Sequence, residues 1–302
     1  MENWKVSYHF DRRIMSEFVR LTYSDRDIIK EYTHKCHTLN CEYAPANVFW
    51  WNDNLDYAFV EGILVYRGFY DDNAVYSPME FPEDVEGFVE SLEKDAMSLS
   101  RRMVLNNLSE DMVNRMKEVY GDSFEYGFLR EDSDYIYKVS ELINLSGTKF
   151  HSKKNLYNKF VKSYDYSYEE IGPHNIEECR SMKDSWVKSR DNEAESDILD
   201  KVFDNYDMFD FKGALLRVNG KVEAFTIGEE LNSEVFVTHF EKANHEISGI
   251  YQAINRMFAE NTIFGYIYVN REDDMGIEGL RKAKLSYNPV ILLDKYYAYR
   301  TN

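Results

Sequence analysis

Two acid–base side chains lie close together in the segment Val235 to Glu241. This segment reads as a strand, and strict alternation along it would place His239 and Glu241 on the same face. When an amine attacks a carbonyl carbon, a base must take a proton from the nitrogen, and an imidazole or a carboxylate can do so directly or through water. His239 and Glu241 are therefore the candidate catalytic residues. Alternatively, His239 is a hydrogen-bonded core residue and Glu241 pairs with Lys242 or Arg271.

A glycine-containing turn, Asn244 to Gly249, joins this strand to a predicted helix. The free N–H groups at a helix N-terminus and the helix dipole favour phosphate, and a glycine lets the backbone approach the ligand closely. The turn is a candidate cradle for the pyrophosphate of coenzyme A or an acyl-CoA, and a plain flexible turn is the alternative. The candidate cofactor-binding residues here are Ser248, Gly249, Tyr251 and Asn255.

Charged residues accumulate where the next predicted strand, Phe264 to Asn270, ends. Ligands of open α/β sheets gather at such strand ends. Arg271 could hold a phosphate or carboxylate through two hydrogen bonds, and the acids after it could bind a substrate amine or cap the next helix. Surface salt bridges are the alternative. The candidate substrate-binding residues are Asn270, Arg271, Glu272, Asp273, Asp274 and Tyr287, and Arg281 and Lys284 are assigned to the cofactor.

A basic segment lies between Glu141 and Asp165, where no acid occurs. The whole chain has a formal charge of −18, which opposes indiscriminate binding to nucleic acid or to an anionic bilayer. A polyanionic partner, such as aminoacyl-tRNA, would therefore have to use this local patch, with Lys153 and Lys154 as candidate substrate contacts. A solvated basic helix linking two domains is the alternative. The basic residues are Lys149, His151, Lys153, Lys154, Lys159 and Lys162.

Composition predicts a cytoplasmic protein without membrane insertion. No run approaches the roughly 18 apolar residues of a spanning helix, and the N-terminus lacks the layout of a signal peptide. Three cysteines cannot all pair, which indicates a reducing compartment. The segment His34 to Cys41 holds four potential zinc ligands, but Cys36 and His37 are adjacent and no second half follows, so we expect no metal site.

The second half has the clearer pattern of elements. Asn219-Gly220 between two apolar runs predicts a β-hairpin, because both residues tolerate the positive φ of a type I′ turn. Two amphipathic helices precede the hairpin, and a further strand and helix alternate after it. The predicted elements are helices around 176–187 and 198–206, strands 213–218, 221–229 and 234–241, a helix from about 249, strand 264–270, helix 277–285 and strand 289–293.

The first half repeats this order, which indicates an internal duplication of one α/β unit. We place the N-terminal domain at residues 1–148 and the C-terminal domain, with the candidate site, at 149–302. The predicted elements of the first half are a strand-like run Tyr57 to Tyr66, strand Ala74 to Met79, a helix from Val85 to Leu99, strand Met103 to Leu105, a helix capped by Ser109, and strand Phe124 to Leu129.

Several stretches resemble an uncharacterised bacterial family related to the C-terminal catalytic region of phosphatidylglycerol lysyltransferases. They are Tyr135-Ile-Tyr-Lys-Val, His239-Phe-Glu-Lys-Ala, Asn270-Arg-Glu-Asp-Asp-Met-Gly and Leu280-Arg-Lys-Ala-Lys-Leu-Ser-Tyr-Asn-Pro. The resemblance implies an α/β (α+β) fold of two tandem GNAT-like acyl-CoA N-acyltransferase domains, with mixed sheets flanked by helices and arranged as in Fem aminoacyltransferases. It also implies transfer of an acyl or aminoacyl group from a small-molecule coenzyme A thioester or from aminoacyl-tRNA to an amine or hydroxyl.

The chain departs from the usual GNAT phosphate loop. Glu246 stands where that loop has Gln or Arg, and Tyr251 stands where it has Gly or Ala. An acid would repel pyrophosphate, and a tyrosine narrows the approach. Tyr287 lies just beyond the helix in which many GNAT enzymes carry a general-acid tyrosine. The chain also lacks the membrane domain of the lipid-modifying relatives, which argues against a phospholipid acceptor. A catalytically silent binding module, holding a small anion or peptide in an inter-domain groove, is the alternative.

Overall fold

The computed structural model describes residues 17–51, 54–190 and 193–301. The helices in these residues are α1 (Arg26–Lys35), α2 (Val85–Ser98), α3 (Glu110–Tyr120), α4 (Val139–Asn144), α5 (His151–Ser163), α6 (Ile176–Arg190), α7 (Glu193–Asp204), α8 (Ile250–Asn261) and α9 (Glu278–Leu285). The strands are β1 (Val19–Arg20), β2 (Asp56–Val60), β3 (Ile63–Tyr70), β4 (Asn73–Pro78), β5 (Arg102–Leu108), β6 (Phe124–Phe128), β7 (Asp134–Lys138), β8 (Tyr166–Glu170), β9 (Lys212–Val218), β10 (Lys221–Glu230), β11 (Val235–Ala243), β12 (Tyr268–Asn270), β13 (Ile291–Leu293) and β14 (Tyr296–Arg300).

The chain forms two compact units. Among the described residues, the first unit contains 17–21, 54–126 and 297–301, and the second contains 22–51, 127–190 and 193–296. The predicted domains, residues 1–148 and 149–302, are the two copies of an inferred internal duplication. Their limits stay a prediction.

The first unit is built on a seven-stranded mixed sheet of order β1-β2-β3-β4-β5-β14-β6. β2, β3 and β4 are antiparallel neighbours, and β4 pairs with β5 in parallel after the crossover through α2. Apolar residues at helical spacing on α2 face the core, and Asp84 caps the helix by accepting a hydrogen bond from the backbone N–H of Gly87. Ser109 caps α3 in the same way through Met112, as predicted.

The second unit carries a sheet of order β13-β7-β12-β11-β10-β9-β8. Its strands β9, β10 and β11 are antiparallel neighbours, and β11 pairs with β12 in parallel after the crossover through α8. The order of strands and helices thus matches that of the first sheet. Two mixed sheets flanked by helices confirm the predicted α/β class.

Two turns show how local chemistry sets a hairpin. Asn219 and Gly220 have φ of +51° and +80° between β9 and β10, so the predicted hairpin is confirmed. The prediction of one strand-like run from Tyr57 to Tyr66 was wrong, because Glu61 and Gly62 form the same kind of positive-φ turn and split it into β2 and β3. Glutamate rarely adopts positive φ, so the residue types at these positions were a weak signal for this turn.

Apolar side chains of the second unit form two clusters. Phe236, Ile254 and Phe258 belong to the cluster that includes α4, α5 and α8. Phe225, Phe240 and Trp50 belong to the other, which includes residues of α6 and α7. A sheet that is covered on both faces explains the long apolar runs of β10 and β11. No helix within the described residues is both long and apolar enough to cross a membrane.

Candidate functional site

The parallel strands β11 and β12 separate after three paired residues. Val235 to Val237 pair with Tyr268 to Asn270, but β11 continues to Ala243 whereas β12 ends at Asn270. Beyond the last pair, Arg271 Nη2 donates a hydrogen bond to Glu241 Oε1 at 3.0 Å. The divergence leaves the carboxyl ends of two neighbouring strands lined by charged side chains, which is the arrangement that binds ligands in open α/β sheets.

A β-bulge interrupts β11 at His239. Ile227 of β10 pairs with Phe240 and the next residue, Gly228, pairs with Thr238, so His239 has no counterpart on β10. Strict alternation along the strand was therefore a wrong expectation: Phe236 and Phe240 lie in different apolar clusters. His239 and Glu241 belong to two separate ion-pair networks.

His239 lies between two carboxylates. Its Nδ1 is 2.8 Å from Glu272 Oε1 and its Nε2 is 3.0 Å from Glu229 Oε1, and the side chain is 2% exposed. Burial alone would lower the pKa of His239, but the two carboxylates outweigh burial and raise the pKa to about 10. Both ring nitrogens of the imidazolium are thus donors. This geometry favours the alternative of a hydrogen-bonded core residue over a free base.

Glu241 is held by two donors. Arg271 donates to Oε1, and Asn255 Nδ2 of α8 donates to Oε2 at 3.1 Å. Burial would lower the pKa of Arg271, but the Glu241 carboxylate raises it above its ordinary value. The ion pair with Arg271 is the alternative that the sequence offered for Glu241. Each carboxylate oxygen can accept a second hydrogen bond, so Glu241 keeps capacity to bind an acceptor amine or hydroxyl.

Helix α5 brings Lys153 to the same place. Lys153 Nζ donates to Ser286 Oγ at 2.6 Å and lies 4.1 Å from the centre of the Tyr287 ring. The guanidinium of Arg271 lies 5.2 Å from that ring centre. Burial, and then the charge of Arg271, lower the pKa of Lys153. We call Lys153, Glu241, Asn255, Arg271 and Tyr287 the divergence site.

The glycine turn before α8 packs against α5. Gly249 has a φ of +84°, and a Cβ at this position would collide with the carbonyl oxygen of Leu156. The backbone N–H of Ser248 donates to Tyr164 Oη at 3.3 Å, and Tyr251 Oη donates to the carbonyl of Ala243 at 3.2 Å. The glycine therefore accommodates a helix of the protein itself at the position where a cofactor pyrophosphate was expected.

The turn after β12 is held mainly by internal ion pairs. The buried carboxylate of Asp274 accepts two hydrogen bonds from Arg281, both 2.8 Å, and one from Tyr135 Oη at 2.6 Å. The hydrogen bonds from Arg281 lower the pKa of Asp274 to about 2, although burial opposes them. Lys284 Nζ donates to the backbone carbonyls of Arg271 and Asp273. Arg281 and Lys284 thus have partners within the turn and the helix that follows it.

The other predicted substrate residues of this turn differ in exposure. Asn270 is fully buried and donates to Asp134 Oδ2 and to the carbonyl of Leu39, both at 2.7 Å. Glu272 pairs with His239. Asp273 is 25% exposed, and burial raises its pKa to about 6 in spite of Lys295 and Lys284. Lys154 is exposed on α5 and lies outside the divergence site.

Sequence reasoning missed a second buried network. Asp134 Oδ1 lies 3.0 Å from Lys295 Nζ, and Asp134 also accepts hydrogen bonds from the backbone N–H and the thiol of Cys41. Burial, reinforced by Asp134, raises the pKa of the Cys41 thiol well above its ordinary value. Glu229, the partner of His239, was missed as well. A single charge inside or beside an apolar strand was the available signal for all three charged residues.

Residues 34–299 match the family described as phosphatidylglycerol lysyltransferase, C-terminal. That match covers most of the 302-residue chain. The chain belongs to this family. The resemblance inferred from the sequence is thereby confirmed.

Solved structures share the fold of this chain. A conserved protein of unknown function from Bacteroides thetaiotaomicron is 34% identical with a TM-score of 0.88, over 94% of this chain and 99% of that one. The C-terminal domain of a putative lysylphosphatidylglycerol synthetase from Agrobacterium fabrum is 12% identical with a TM-score of 0.69, over 93% of each chain. FemX is 10% identical with a TM-score of 0.63, over 95% of this chain and 98% of FemX. The predicted tandem GNAT-like fold is confirmed.

Proposed function

We propose that this chain transfers an aminoacyl group from aminoacyl-tRNA to an amine or hydroxyl acceptor at the divergence site. The observation that carries the proposal is the packing of α5 on the Gly249 turn, where the Leu156 carbonyl lies directly beside Gly249 and limits the approach of any ligand to that glycine. A coenzyme A thioester is therefore the less favoured donor. The name of the family, phosphatidylglycerol lysyltransferase, describes aminoacyl transfer and supports the same donor class.

Helix α5 supplies the charge that a nucleic-acid donor needs. Lys154, Lys159 and Lys162 are exposed on it, and the sequence has no acid from residue 142 to residue 164. In a chain of net charge −18, this local surface can contact backbone phosphates while the rest of the protein repels them. The same helix carries Lys153 into the divergence site, so donor binding and chemistry would lie on one element.

The reaction requires a base and a proton donor. The acceptor nitrogen or oxygen attacks the ester carbonyl carbon, the new bond forms, the bond to the ribose oxygen breaks, and that oxygen takes up a proton. Of the two candidate bases, we favour Glu241, because it lies in the divergence site whereas His239 is enclosed by Glu229 and Glu272. Arg271 would orient Glu241 and offset charge that develops on the carbonyl oxygen.

Binding tests the choice of donor. We expect uncharged tRNA to bind with an affinity that falls steeply between 50 and 200 mM salt, and we expect acetyl-CoA to leave the melting temperature unchanged. The matched variants each replace three exposed lysines by glutamine: K154Q/K159Q/K162Q on α5, and K94Q/K117Q/K221Q elsewhere. Only the α5 variant should make the affinity for tRNA less dependent on salt concentration. A rise in melting temperature with acetyl-CoA, together with no tRNA binding at low salt, would overturn the proposal.

One observation favours a different function, a binding module without catalysis. Both candidate bases are engaged in ion pairs, Glu241 with Arg271 and His239 with two carboxylates. In that case E241Q would leave any detected transfer activity unchanged and would alter ligand binding alone. An E241Q variant that binds tRNA normally but transfers more slowly argues for the enzyme.

A further inference from the structure

The divergence site contains two cations and one carboxylate. Arg271 is paired with Glu241 at 3.0 Å. Lys153 has no carboxylate within 4 Å among the described residues, and its hydrogen-bond partner is the Ser286 hydroxyl at 2.6 Å. The local sum is therefore one uncompensated positive charge, half-buried beside an aromatic ring. A desolvated charge of this kind is costly unless a partner of opposite sign is present.

Three residues of the site, Arg271, Asn255 and Tyr287, each have one buried hydrogen-bonding atom without a partner within the part of the chain that the structure describes. Arg271 Nη1 is buried and makes no hydrogen bond, and the same holds for Asn255 Oδ1. Asn255 is 7% exposed, and its orientation is fixed because Nδ2 must face the Glu241 carboxylate. Buried donors and acceptors are normally satisfied, so these atoms indicate a missing partner.

The Tyr287 ring places the two cations near each other. Lys153 Nζ is 4.1 Å and Arg271 Cζ is 5.2 Å from the same ring centre. Tyr287 is 6% exposed, so its ring is enclosed by the protein. Two cations against one ring repel each other, and burial, followed by the charge of Arg271, lowers the pKa of Lys153. An anion bound between them would remove that repulsion.

We propose that Lys153, Arg271 and Asn255 bind one oxyanion group of the substrate, a phosphate or a carboxylate. Arg271 Nη1 and Lys153 Nζ donate to its oxygens, and Lys153 leaves Ser286 to do so. Asn255 Oδ1 accepts from a neighbouring hydroxyl or amine of the same molecule. The inference rests on the proposed function for the identity of the substrate, and it specifies that this substrate carries an anion close to the group that reacts.

Small anions test the site directly. Sodium phosphate and sodium acetate are titrated into the protein at constant ionic strength set with sodium chloride, and backbone amide chemical shifts of Ser286 and Tyr287 are followed. We expect saturable shifts with at least one probe. The variant K153M should weaken binding about tenfold, as loss of one charge-assisted hydrogen bond predicts. K94M, which changes an exposed lysine of α2 outside the divergence site, should bind like the wild type. A preference for phosphate or for acetate shows whether the site is suited to a phosphate or to a carboxylate of the substrate.

Absence of saturable shifts with both probes overturns the inference, and so does equal binding by K153M and K94M. The outcome is separable from that of the proposed function. If the anions bind but no aminoacyl group is transferred, the anion site stands and the aminoacyl-transfer proposal fails. If transfer occurs and K153M keeps the wild-type KM for the acceptor and for the donor, aminoacyl transfer stands and the anion site fails. Melting curves of both variants without probe confirm that each is folded.

Discussion

Glu241 and Arg271 form a 3.0 Å ion pair across the point where β11 and β12 separate. β10 and α8 hold Glu241 in place, and the end of β12 delivers Arg271. The pair thus joins two strands at the position where their backbone pairing stops. Both side chains are largely buried, and they are the residues on which the proposed chemistry depends.

Replacing Glu241 by glutamine should slow transfer without unfolding the protein. E241Q keeps an acceptor for Arg271 and Asn255 but removes the base, so we expect a decrease in kcat of about 100-fold or more. Single-turnover transfer measures it. E246Q, an exposed position in the following loop, is the matched control and should retain the wild-type rate. Equal rates for E241Q and the wild type would assign Glu241 a purely structural role.

Removing the His239 side chain should affect stability rather than rate. H239A leaves the buried Glu229 and the partly exposed Glu272 without their shared cation, and loss of the partner of a buried charge costs about 3–5 kcal/mol in the free energy of unfolding. Chemical denaturation measures that loss. A folded H239A variant with normal stability but no transfer activity would instead identify His239 as a base.

The His239 cluster also predicts the direction of a pH dependence. The folded-state pKa is raised to about 10, above the ordinary value of roughly 6.5 that holds in the unfolded chain. The cluster's contribution to stability is therefore fully present below about pH 6.5 and is lost as the pH rises through about 10. The difference in free energy of unfolding between the wild type and H239A should shrink over that interval. A constant or growing difference would contradict the stabilisation that we assign to protonated His239.

Asp273 predicts a pH-dependent contribution to stability of the opposite sign. Burial raises its folded-state pKa to about 6, so the ionised carboxylate is less stable in the folded chain than in the unfolded chain. This penalty is absent below about pH 4 and complete above about pH 6. D273N should therefore stabilise the protein by about 1–3 kcal/mol at pH 8 and have little effect near pH 4. Destabilisation by D273N at pH 8 would show that its interaction with Lys295 outweighs burial.

Gly249 is expected to be a packing residue. G249A forces a side chain into a positive-φ position against the Leu156 carbonyl, which should cost about 1–3 kcal/mol or displace α5. G265A is the matched control, because a Cβ there meets nothing within 4 Å. Thermal melting compares the two. If G249A melts like the wild type, α5 does not pack on this turn as described.

Local patterns predicted much of the second unit. The Asn219-Gly220 hairpin and the amphipathic face of α8 follow from neighbouring residues, and both were confirmed. Pairing between residues far apart in the sequence could not be predicted in this way. Asp134 and Lys295 are 161 residues apart, and the strands near them, β7 and β14, insert into sheets that their position in the sequence does not indicate.

Only part of the candidate site could be predicted, because some of its contacts are long-range as well. Charged residues at the end of a predicted strand pointed to Arg271, and alternation pointed to Glu241. The bulge at His239 arises from pairing with β10, and the contact between Gly249 and Leu156 joins α8 to another helix. Neither follows from the residues beside it in the chain. Both changed what His239 and Gly249 are expected to do.

The most direct measurement is transfer of a radiolabelled aminoacyl group from tRNA. The wild-type protein is incubated with a mixture of labelled aminoacyl-tRNAs and with a panel of small amines and alcohols that carry a phosphate or a carboxylate. In parallel, labelled acetyl-CoA replaces the tRNA. We predict labelled adducts from at least one aminoacyl-tRNA, strongly reduced in E241Q, and none from acetyl-CoA. Adducts from acetyl-CoA, with aminoacyl-tRNA consumed no faster than by spontaneous hydrolysis, would contradict the account.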